Sequence, residues 1–158
     1  MKNIKLFLTD VDGTLTDGGM YYSAEGDVMK RFYVRDGMGM KLLQQAGVRV
    51  GIITSETTPI VQARAKKLGV DYLFMGVRFD GKVKVAEQIC EEMGITLNEV
   101  AYIGDDVNDM ALLEAAGLAA CPADACEEVL ALPTIRVMTH KGGHGAVREL
   151  ADEIRKTL

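Results

Sequence analysis

Short apolar runs, rich in β-branched and aromatic residues, alternate along this chain with longer segments that carry helical patterns. The candidate strands are Ile4–Thr9, Val48–Ile53, Tyr72–Phe74, Val100–Ile103, Leu118–Ala120 and Ile135–Val137. The candidate helices are Gly37–Gln45, Thr58–Lys67, Lys82–Met93, Asp109–Ala116, Asp124–Ala131 and Ala146–Lys156. Alternation of this kind is typical of βαβ units with right-handed crossovers. We therefore predict an α/β fold in which helices cover both faces of a parallel sheet.

One segment interrupts this alternation. Residues 18–34 contain two β-like runs around Ala-Glu-Gly-Asp, which predicts a β-hairpin inserted after the first strand. The chain has 158 residues, about the length of one domain, and no stretch is long enough for a cap domain. We expect a single domain over residues 1–158, built on a Rossmann-like sheet, with the hairpin at about 18–34 and a glycine-rich tail at about 140–158.

Net charge, apolar runs and cysteine content limit the partners and the location that we expect. The formal net charge is −5, so we expect neither nucleic acid nor an anionic membrane surface as a partner. No apolar run approaches the ~18 residues of a membrane span, and residues 1–5 do not read as a signal peptide. The three cysteines form no CxxC pair, which favours reduced thiols and a cytoplasmic location.

Acidic, hydroxyl and amine side chains follow four consecutive predicted strands. They are Asp10 and Asp12 after the first strand, Thr54, Ser55 and Glu56 after the second, Lys82 after the third, and Asp105, Asp106 and Asp109 after the fourth. Ligands of open α/β sheets bind at the carboxyl ends of the strands. The sequence therefore predicts that these residues meet in one site.

The chemistry that suits this set is phosphoryl transfer. Two carboxylates two residues apart in an extended chain point the same way, so one can attack phosphorus while the other handles the leaving-group proton. The neighbouring acids would repel one another without a cation, and oxygen-only ligands suit Mg²⁺. Thr54 and Lys82 can hold the remaining phosphate oxygens.

The order of these residues also resembles a known family. Asp-Val-Asp-Gly-Thr at 10–14, Thr54, Lys82 and Gly-Asp-Asp-Val-Asn-Asp at 104–109 are similar to the four ordered motifs of haloacid dehalogenase-like phosphatases. Lys84 is an alternative to Lys82 for the third motif.

The resemblance implies a role for each acid. Asp10 would be the nucleophile that becomes an aspartyl phosphate. Asp12 would be the general acid and base, and its backbone carbonyl would also bind Mg²⁺. Asp105 would complete the metal ligands, and Asp109 would support the metal site through water or through the motif lysine. Asp106 is a further supporting candidate, although one Mg²⁺ does not need three acids from this segment.

Three further features make the resemblance more specific: the absence of a cap domain, the hairpin, and the segment Gly142–Glu149. Together they are similar to the capless 3-deoxy-D-manno-octulosonate 8-phosphate (KDO 8-phosphate) phosphatase family, across essentially the whole chain. That resemblance implies a 2-keto-3-deoxy sugar-acid phosphate as substrate and a homotetramer whose hairpins form a central barrel. It also implies active sites shared between subunits, with Gly143 and His144 closing over a site as part of the tail.

One departure leaves the sugar open. Ser55 and Glu56 stand where the octulosonate branch commonly has Gly-Arg, and losing an arginine changes which substrate groups can be held. Glu56 together with Lys67 resembles relatives acting on 2-keto-3-deoxynononate (KDN) 9-phosphate or sialic acid 9-phosphate. Arg64 and Lys67 are therefore candidate substrate contacts, although the solvated face of a helix is the alternative for both.

Other functions remain as alternatives. A receiver-type phospho-acceptor module also uses acids, Mg²⁺, Thr and Lys, but its phosphorylated Asp follows the third strand, where this chain has residues 74–76, Phe-Met-Gly. A non-catalytic relative would be expected to lose at least one motif residue, and all are present. A phosphatase of another small phosphorylated metabolite is the closer competitor, and a mutase of this superfamily would usually carry a cap.

Overall fold

Parallel strands form the centre of the computed structural model, which describes residues 3–158. The strands are β1 (Leu6–Thr9), β2 (Tyr21–Ser23), β3 (Gly26–Met29), β4 (Arg49–Ile53), β5 (Tyr72–Phe74), β6 (Val100–Ile103), β7 (Leu118–Cys121) and β8 (Arg136–Val137). β2 and β3 pair with each other, and the others form a six-stranded sheet in the order β5-β4-β1-β6-β7-β8. Every pairing within that sheet is parallel. The predicted parallel sheet is confirmed.

The helices lie between the strands, as the alternation predicts. They are α1 (Val34–Gln45), α2 (Pro59–Leu68), α3 (Asp80–Met93), α4 (Met110–Ala115), α5 (Glu127–Leu130) and α6 (Ala146–Arg155). The largest change from the prediction is at α5, which begins at Glu127 instead of Asp124. There the backbone N–H of Cys126 donates to the carbonyl of Asp105 at 2.9 Å. The residues before α5 are therefore tied to the loop after β6.

Both faces of the sheet are covered. Phe7 of β1 packs in a cluster with residues of α1, α2 and α6. Its neighbours Leu6 and Leu8 pack on the other face, in a cluster with residues of α3, α4 and α5. Alternate side chains of a strand point to opposite faces, so an unbroken apolar run is what a strand buried on both faces requires. The predicted Rossmann-like arrangement is confirmed.

The hairpin follows β1, as predicted. β2 and β3 are antiparallel, and a bridge between Thr16 and Phe32 closes the base of the hairpin. Within residues 3–158 it is the only insertion before α1, and no cap domain is present there. No helix in this range is both long and apolar enough to cross a lipid bilayer.

The segment predicted as a glycine-rich tail is mostly a core helix. One face of α6 is fully buried, with Val147, Leu150 and Ile154 at 0% exposure. α6 packs against α1, and Asp36 of α1 accepts a hydrogen bond from the backbone N–H of Arg148 at 2.9 Å. Apolar residues recur along α6 at helical spacing, which explains why one face of the helix is buried. The glycine-rich segment is therefore limited to residues 142–145.

Candidate active site

The carboxyl ends of β1, β4 and β6 meet at the centre of the sheet. The chain runs outward from β1 to β4 and β5 and then returns to β6 on the other side of β1, which makes this edge a topological switch point. A cavity of about 130 Å³ opens there. Its lining consists of Asp10, Asp12, Thr54, Ser55, Glu56, Asp105, Asp106 and Asn108. Sequence reasoning proposed all of these except Asn108, since only the acids of residues 104–109 were considered.

Lys82 lies directly beneath this cavity. The first turn of α3 directs its side chain inward, where it is 0% exposed. Its Nζ donates to Asp10 Oδ1 at 2.8 Å and to Asp109 Oδ1 at 2.7 Å. Lys84, the alternative lysine, is exposed. The structure therefore places Lys82 beside the proposed nucleophile.

Asp109 organises the floor of the site through both of its oxygens. Oδ1 accepts from Lys82 and, at 2.5 Å, from the hydroxyl of Tyr102. Oδ2 accepts from the backbone N–H of Asp105 at 2.9 Å and of Asp106 at 3.2 Å. Tyr102 was not found from the sequence, because a tyrosine within a buried strand carries no functional signal. With both oxygens engaged, Asp109 is suited to positioning its neighbours.

Negative charge accumulates in this enclosed space. Burial, together with the charge of Asp109, raises the pKa of Asp10 to about 7 although Lys82 opposes the rise. Burial and the charge of Asp10 raise the pKa of Asp105 to about 8. Burial pulls the pKa of Lys82 down, but the two carboxylates beside it outweigh this and the pKa is raised, so Lys82 stays charged. One ammonium does not neutralise three acids.

A divalent cation would offset this excess of negative charge. Carboxylate oxygens of Asp10, Asp105 and Asp109 lie within 4.8 Å of one another. The Asp109 oxygens are already engaged, whereas Asp10 accepts from Lys82 through one oxygen and Asp105 accepts from the Thr14 hydroxyl at 3.3 Å. A donor set of oxygens alone matches the preference of Mg²⁺. Asp10 and Asp105 are the side chains best placed to bind it.

Gly13 allows Asp105 to approach the loop after β1. Its φ is +84°, and a Cβ at this position would lie 2.0 Å from Asp105 Oδ2. A side chain at this position would strain the backbone and displace the Asp105 carboxylate. The glycine that follows the Asp-x-Asp pair is therefore required for two motifs to meet.

Asp12 stands at the mouth of the cavity and has a partner that sequence reasoning missed. Its Oδ1 accepts from Lys30 Nζ at 2.6 Å. Lys30 follows β3 in the hairpin, far from the motifs in the sequence, and no pattern in that segment marks it.

The loop after β4 is held by hydrogen bonds within the site. The Thr54 hydroxyl accepts from the backbone N–H of Glu56 at 3.1 Å. The Asn108 amide donates to Ser55 Oγ at 2.8 Å, and Ser55 donates to the carbonyl of Val77 at 3.3 Å. Thr54 is buried, and Glu56 reaches the cavity wall. Asp106, also on that wall, accepts from the backbone N–H of Val107 at 2.7 Å and so caps the turn before α4.

Three predicted substrate contacts lie outside this cavity. The Arg64 guanidinium stacks on the Phe32 ring, 5.4 Å from its centroid. Lys67 is exposed in the last turn of α2, about 12 Å along the helix axis from Pro59 at 1.5 Å per residue. His144 is exposed and lines a separate cavity of about 570 Å³ at the start of α6. Within this chain, none of the three reaches the acidic cavity.

The backbone of Gly143 contacts the loop after β1 and the side chain of Arg31. Its N–H donates to the carbonyl of Thr14 at 3.0 Å, and Arg31 donates to the Gly143 carbonyl at 2.9 Å. A Cβ on the preceding Gly142 would lie 1.9 Å from the carbonyl oxygen of Gly13. The glycine-rich segment is thus packed onto the loop after β1 of its own chain, and its predicted closure over a site shared with a neighbouring subunit stays a prediction.

Known proteins resemble this chain over almost its full length. A family model described as haloacid dehalogenase-like hydrolase matches residues 31–117. The chain is 38% identical to the 3-deoxy-D-manno-octulosonate 8-phosphate phosphatase of Haemophilus influenzae, over 98% of this chain and 84% of that protein. It is 37% identical to the phosphatase of the same name from Escherichia coli strain K12, over 96% of this chain and 79% of that protein.

Solved structures give the same result. The cobalt-bound phosphatase from Haemophilus influenzae superposes with a TM-score of 0.91 at 38% identity, covering 98% of this chain and 88% of that one. The Moraxella catarrhalis phosphatase, in complex with magnesium ion, phosphate ion and KDO, superposes with a TM-score of 0.90 at 40% identity, covering 98% and 87%. Fold and sequence therefore agree on one set of relatives.

Proposed function

The chain belongs to the haloacid dehalogenase-like hydrolases and, among them, to the KDO 8-phosphate phosphatase family, and on this premise we propose that it hydrolyses the phosphate ester of a 2-keto-3-deoxy sugar acid. The observation that carries this proposal is the buried contact of Lys82 with Asp10, at 2.8 Å, on the floor of a cavity that Asp12 also lines. A nucleophile, an acid and base, and a cation site are then within one space.

The first half of the reaction transfers the phosphoryl group to the protein. An Asp10 oxygen bonds to phosphorus while the bond from phosphorus to the sugar oxygen breaks. Asp12 donates its proton to that departing oxygen, and the sugar acid leaves as an alcohol. Lys82 favours the ionised form of Asp10 against the effect of burial, which preserves its nucleophilic character.

The second half returns Asp10 to its starting state. The Asp12 carboxylate takes a proton from water, and the water oxygen bonds to phosphorus. The bond from phosphorus to the Asp10 oxygen breaks, which releases inorganic phosphate. Asp12 is again protonated, so the atoms and protons balance over one turnover.

Magnesium is the cofactor that the donor set fits. We propose that Asp10, Asp105 and the backbone carbonyl of Asp12 hold it, and the magnesium in the Moraxella catarrhalis relative supports this choice. When bound, Mg²⁺ offsets the negative charge of the phosphoryl group and of the carboxylates. Asp109 acts through Lys82, and Asp106 through the turn that it caps.

Two sugar acids are candidates. The names of the relatives favour the eight-carbon substrate, KDO 8-phosphate. Glu56, on the cavity wall, favours the nine-carbon substrates, KDN 9-phosphate or sialic acid 9-phosphate, because together with Lys67 it resembles relatives that act on them. Neither Arg nor Lys lines this cavity within residues 3–158. A sugar carboxylate would then need a cation from elsewhere.

A neighbouring copy of the chain is the source of that cation in our proposal. Apolar side chains of the hairpin are 46–66% exposed, namely Met20, Tyr21, Tyr22, Val28 and Met29. Exposed apolar patches mark interaction surfaces, which supports a homotetramer joined through its hairpins, with sites shared between subunits. Lys67, exposed and remote from its own cavity, is available to a neighbour. Size-exclusion chromatography with light scattering tests the assembly, and a monomer would contradict it.

The deciding experiment measures phosphate release in Mg²⁺ from KDO 8-phosphate and KDN 9-phosphate side by side, with Asp10→Asn as the blank. A strong preference for either sugar supports the proposal and selects the substrate. If neither is cleaved while simple phosphate esters are, the protein is a phosphatase of another small metabolite. A long-lived phosphoprotein without turnover would indicate a receiver-type module. We also propose that the reaction takes place in the cytoplasm, where cysteine thiols stay reduced.

A further inference from the structure

The hairpin directs one charged side chain back into the active site. Lys30 follows β3, and its Nζ lies 2.6 Å from Asp12 Oδ1 and 3.6 Å from Asp27 Oδ2. The exposed fractions of these side chains are 1% for Lys30, 9% for Asp27 and 26% for Asp12. A lysine side chain enclosed to this degree is rare in folded proteins. It has two ionic partners, Asp12 and Asp27.

We propose that Lys30 is a positioning residue for Asp12, an inference that rests on the proposed function. The ion pair occupies Oδ1 of Asp12 and restrains rotation of the carboxyl group. Proton exchange with the leaving group and with water then falls to Oδ2. Asp27, within the hairpin strand β3, is the second carboxylate near the Lys30 ammonium, at 3.6 Å, and helps to hold it in place.

Geometry explains why such a restraint matters. A general acid works only within hydrogen-bond reach of the atom that it protonates, and Asp12 is the most exposed of these three side chains. A partly exposed carboxylate can rotate unless a partner holds it. Lys30 does not itself line the cavity, and its hydrogen bond is to Asp12 at 2.6 Å, so we expect its effect on the reaction to pass through Asp12.

The same contact links the hairpin to the chemistry. Lys30 reaches Asp12 only while β2 and β3 hold Asp27 and the end of the hairpin in place. The position of the acid and base therefore depends on an element that lies outside the central sheet.

The test compares two aryl phosphates that differ in their need for a proton. 4-Nitrophenolate leaves readily as an anion, whereas phenolate is more basic and needs protonation. General acid catalysis contributes roughly 10²–10⁴-fold, so we expect Lys30→Met to lower kcat/KM for phenyl phosphate at least about tenfold more than for 4-nitrophenyl phosphate. Lys30→Arg keeps the charge and is expected to restore most of the ratio. Lys41→Met, on the exposed surface of α1, is the matched control and leaves the ratio unchanged.

A merely structural lysine would give a different result. Partial unfolding lowers both rate constants equally, so an unchanged ratio in Lys30→Met, with or without loss of activity, overturns the proposal. If Lys30→Met fails to fold, Asp27→Asn loosens Lys30 without removing it and should change the ratio in the same direction. No change there would also overturn it. The substrate proposal is judged separately, on sugar-acid phosphates with the unaltered protein, so failure of one is distinguishable from failure of the other.

Discussion

Replacing Lys82 with methionine removes the ammonium between Asp10 and Asp109 and keeps the aliphatic length of the side chain. Lys82 and Asp109 are 0% exposed and Asp10 is 5% exposed, so two carboxylates would be left without their buried counter-ion. Removing one partner of a buried ion pair costs about 3–5 kcal/mol. We expect the free energy of unfolding to fall by that amount in metal-free protein at about pH 8, a large part of the ~5–15 kcal/mol available to a domain.

The cost should depend on pH with a definite sign. The pKa of Asp10 is raised to about 7, and Lys82 lowers it, so Lys82→Met raises it further. A carboxyl group whose folded pKa exceeds its unfolded value binds a proton on folding. Stability is then gained as pH falls through the folded pKa and lost as pH rises through it. The cost of Lys82→Met should therefore be smaller at about pH 5 than at about pH 8.

Urea unfolding followed by circular dichroism in EDTA measures both effects. Lys5→Met is the control, because it removes an exposed pair of similar length, Lys5 Nζ to Glu99 Oε1 at 2.8 Å with Lys5 48% exposed. Exposed pairs contribute less than about 1 kcal/mol. The reasoning is refuted if Lys82→Met costs no more than Lys5→Met, or if its cost grows as the pH falls.

Four further expectations depend on the packing and charge of the site. Deleting residues 141–158 removes α6 and its buried face, so circular dichroism should show an unfolded chain, and a folded product with altered KM would contradict this. Gly142→Ala places a Cβ 1.9 Å from the Gly13 carbonyl oxygen. We expect the free energy of unfolding, measured in urea, to fall by about 1–3 kcal/mol and the rate of phosphate release to fall as well. Unchanged values would show that the loop moves to accommodate the Cβ at no cost. Chelation by EDTA should abolish phosphate release. In EDTA the free energy of unfolding should rise as pH falls from about 8 to about 5, because the pKa values of Asp10 and Asp105 are raised to about 7 and about 8. Saturating Mg²⁺ should weaken that dependence on pH.

The positions of the main site residues were predictable from the sequence for a geometric reason. Parallel strands place all their carboxyl ends on one edge of the sheet, so a residue that directly follows a strand lies at that edge. Asp10, Thr54 and Asp105 are related in this way, and knowing the strands was enough to bring them together. Lys82 could be placed at the same edge because it lies in the first turn of the helix that follows β5.

The contacts that hold these residues in place join segments whose sequence patterns give no sign that they meet in the fold. Lys30 reaches Asp12 because the hairpin folds back, and Tyr102 reaches Asp109 from inside β6. Sequence patterns describe one segment at a time, whereas these contacts depend on where two segments pack.

The sheet, the helices and the order of the motifs could be predicted from the sequence, because the spacing of apolar residues and the residues at strand ends are local properties. Three features depend on the packing of distant segments: Lys67 lies away from its own cavity, α6 is part of the core, and Lys30 is paired with Asp12. The apolar period shows which face of a helix is buried, but the partner of that face is set by the packing of the whole chain.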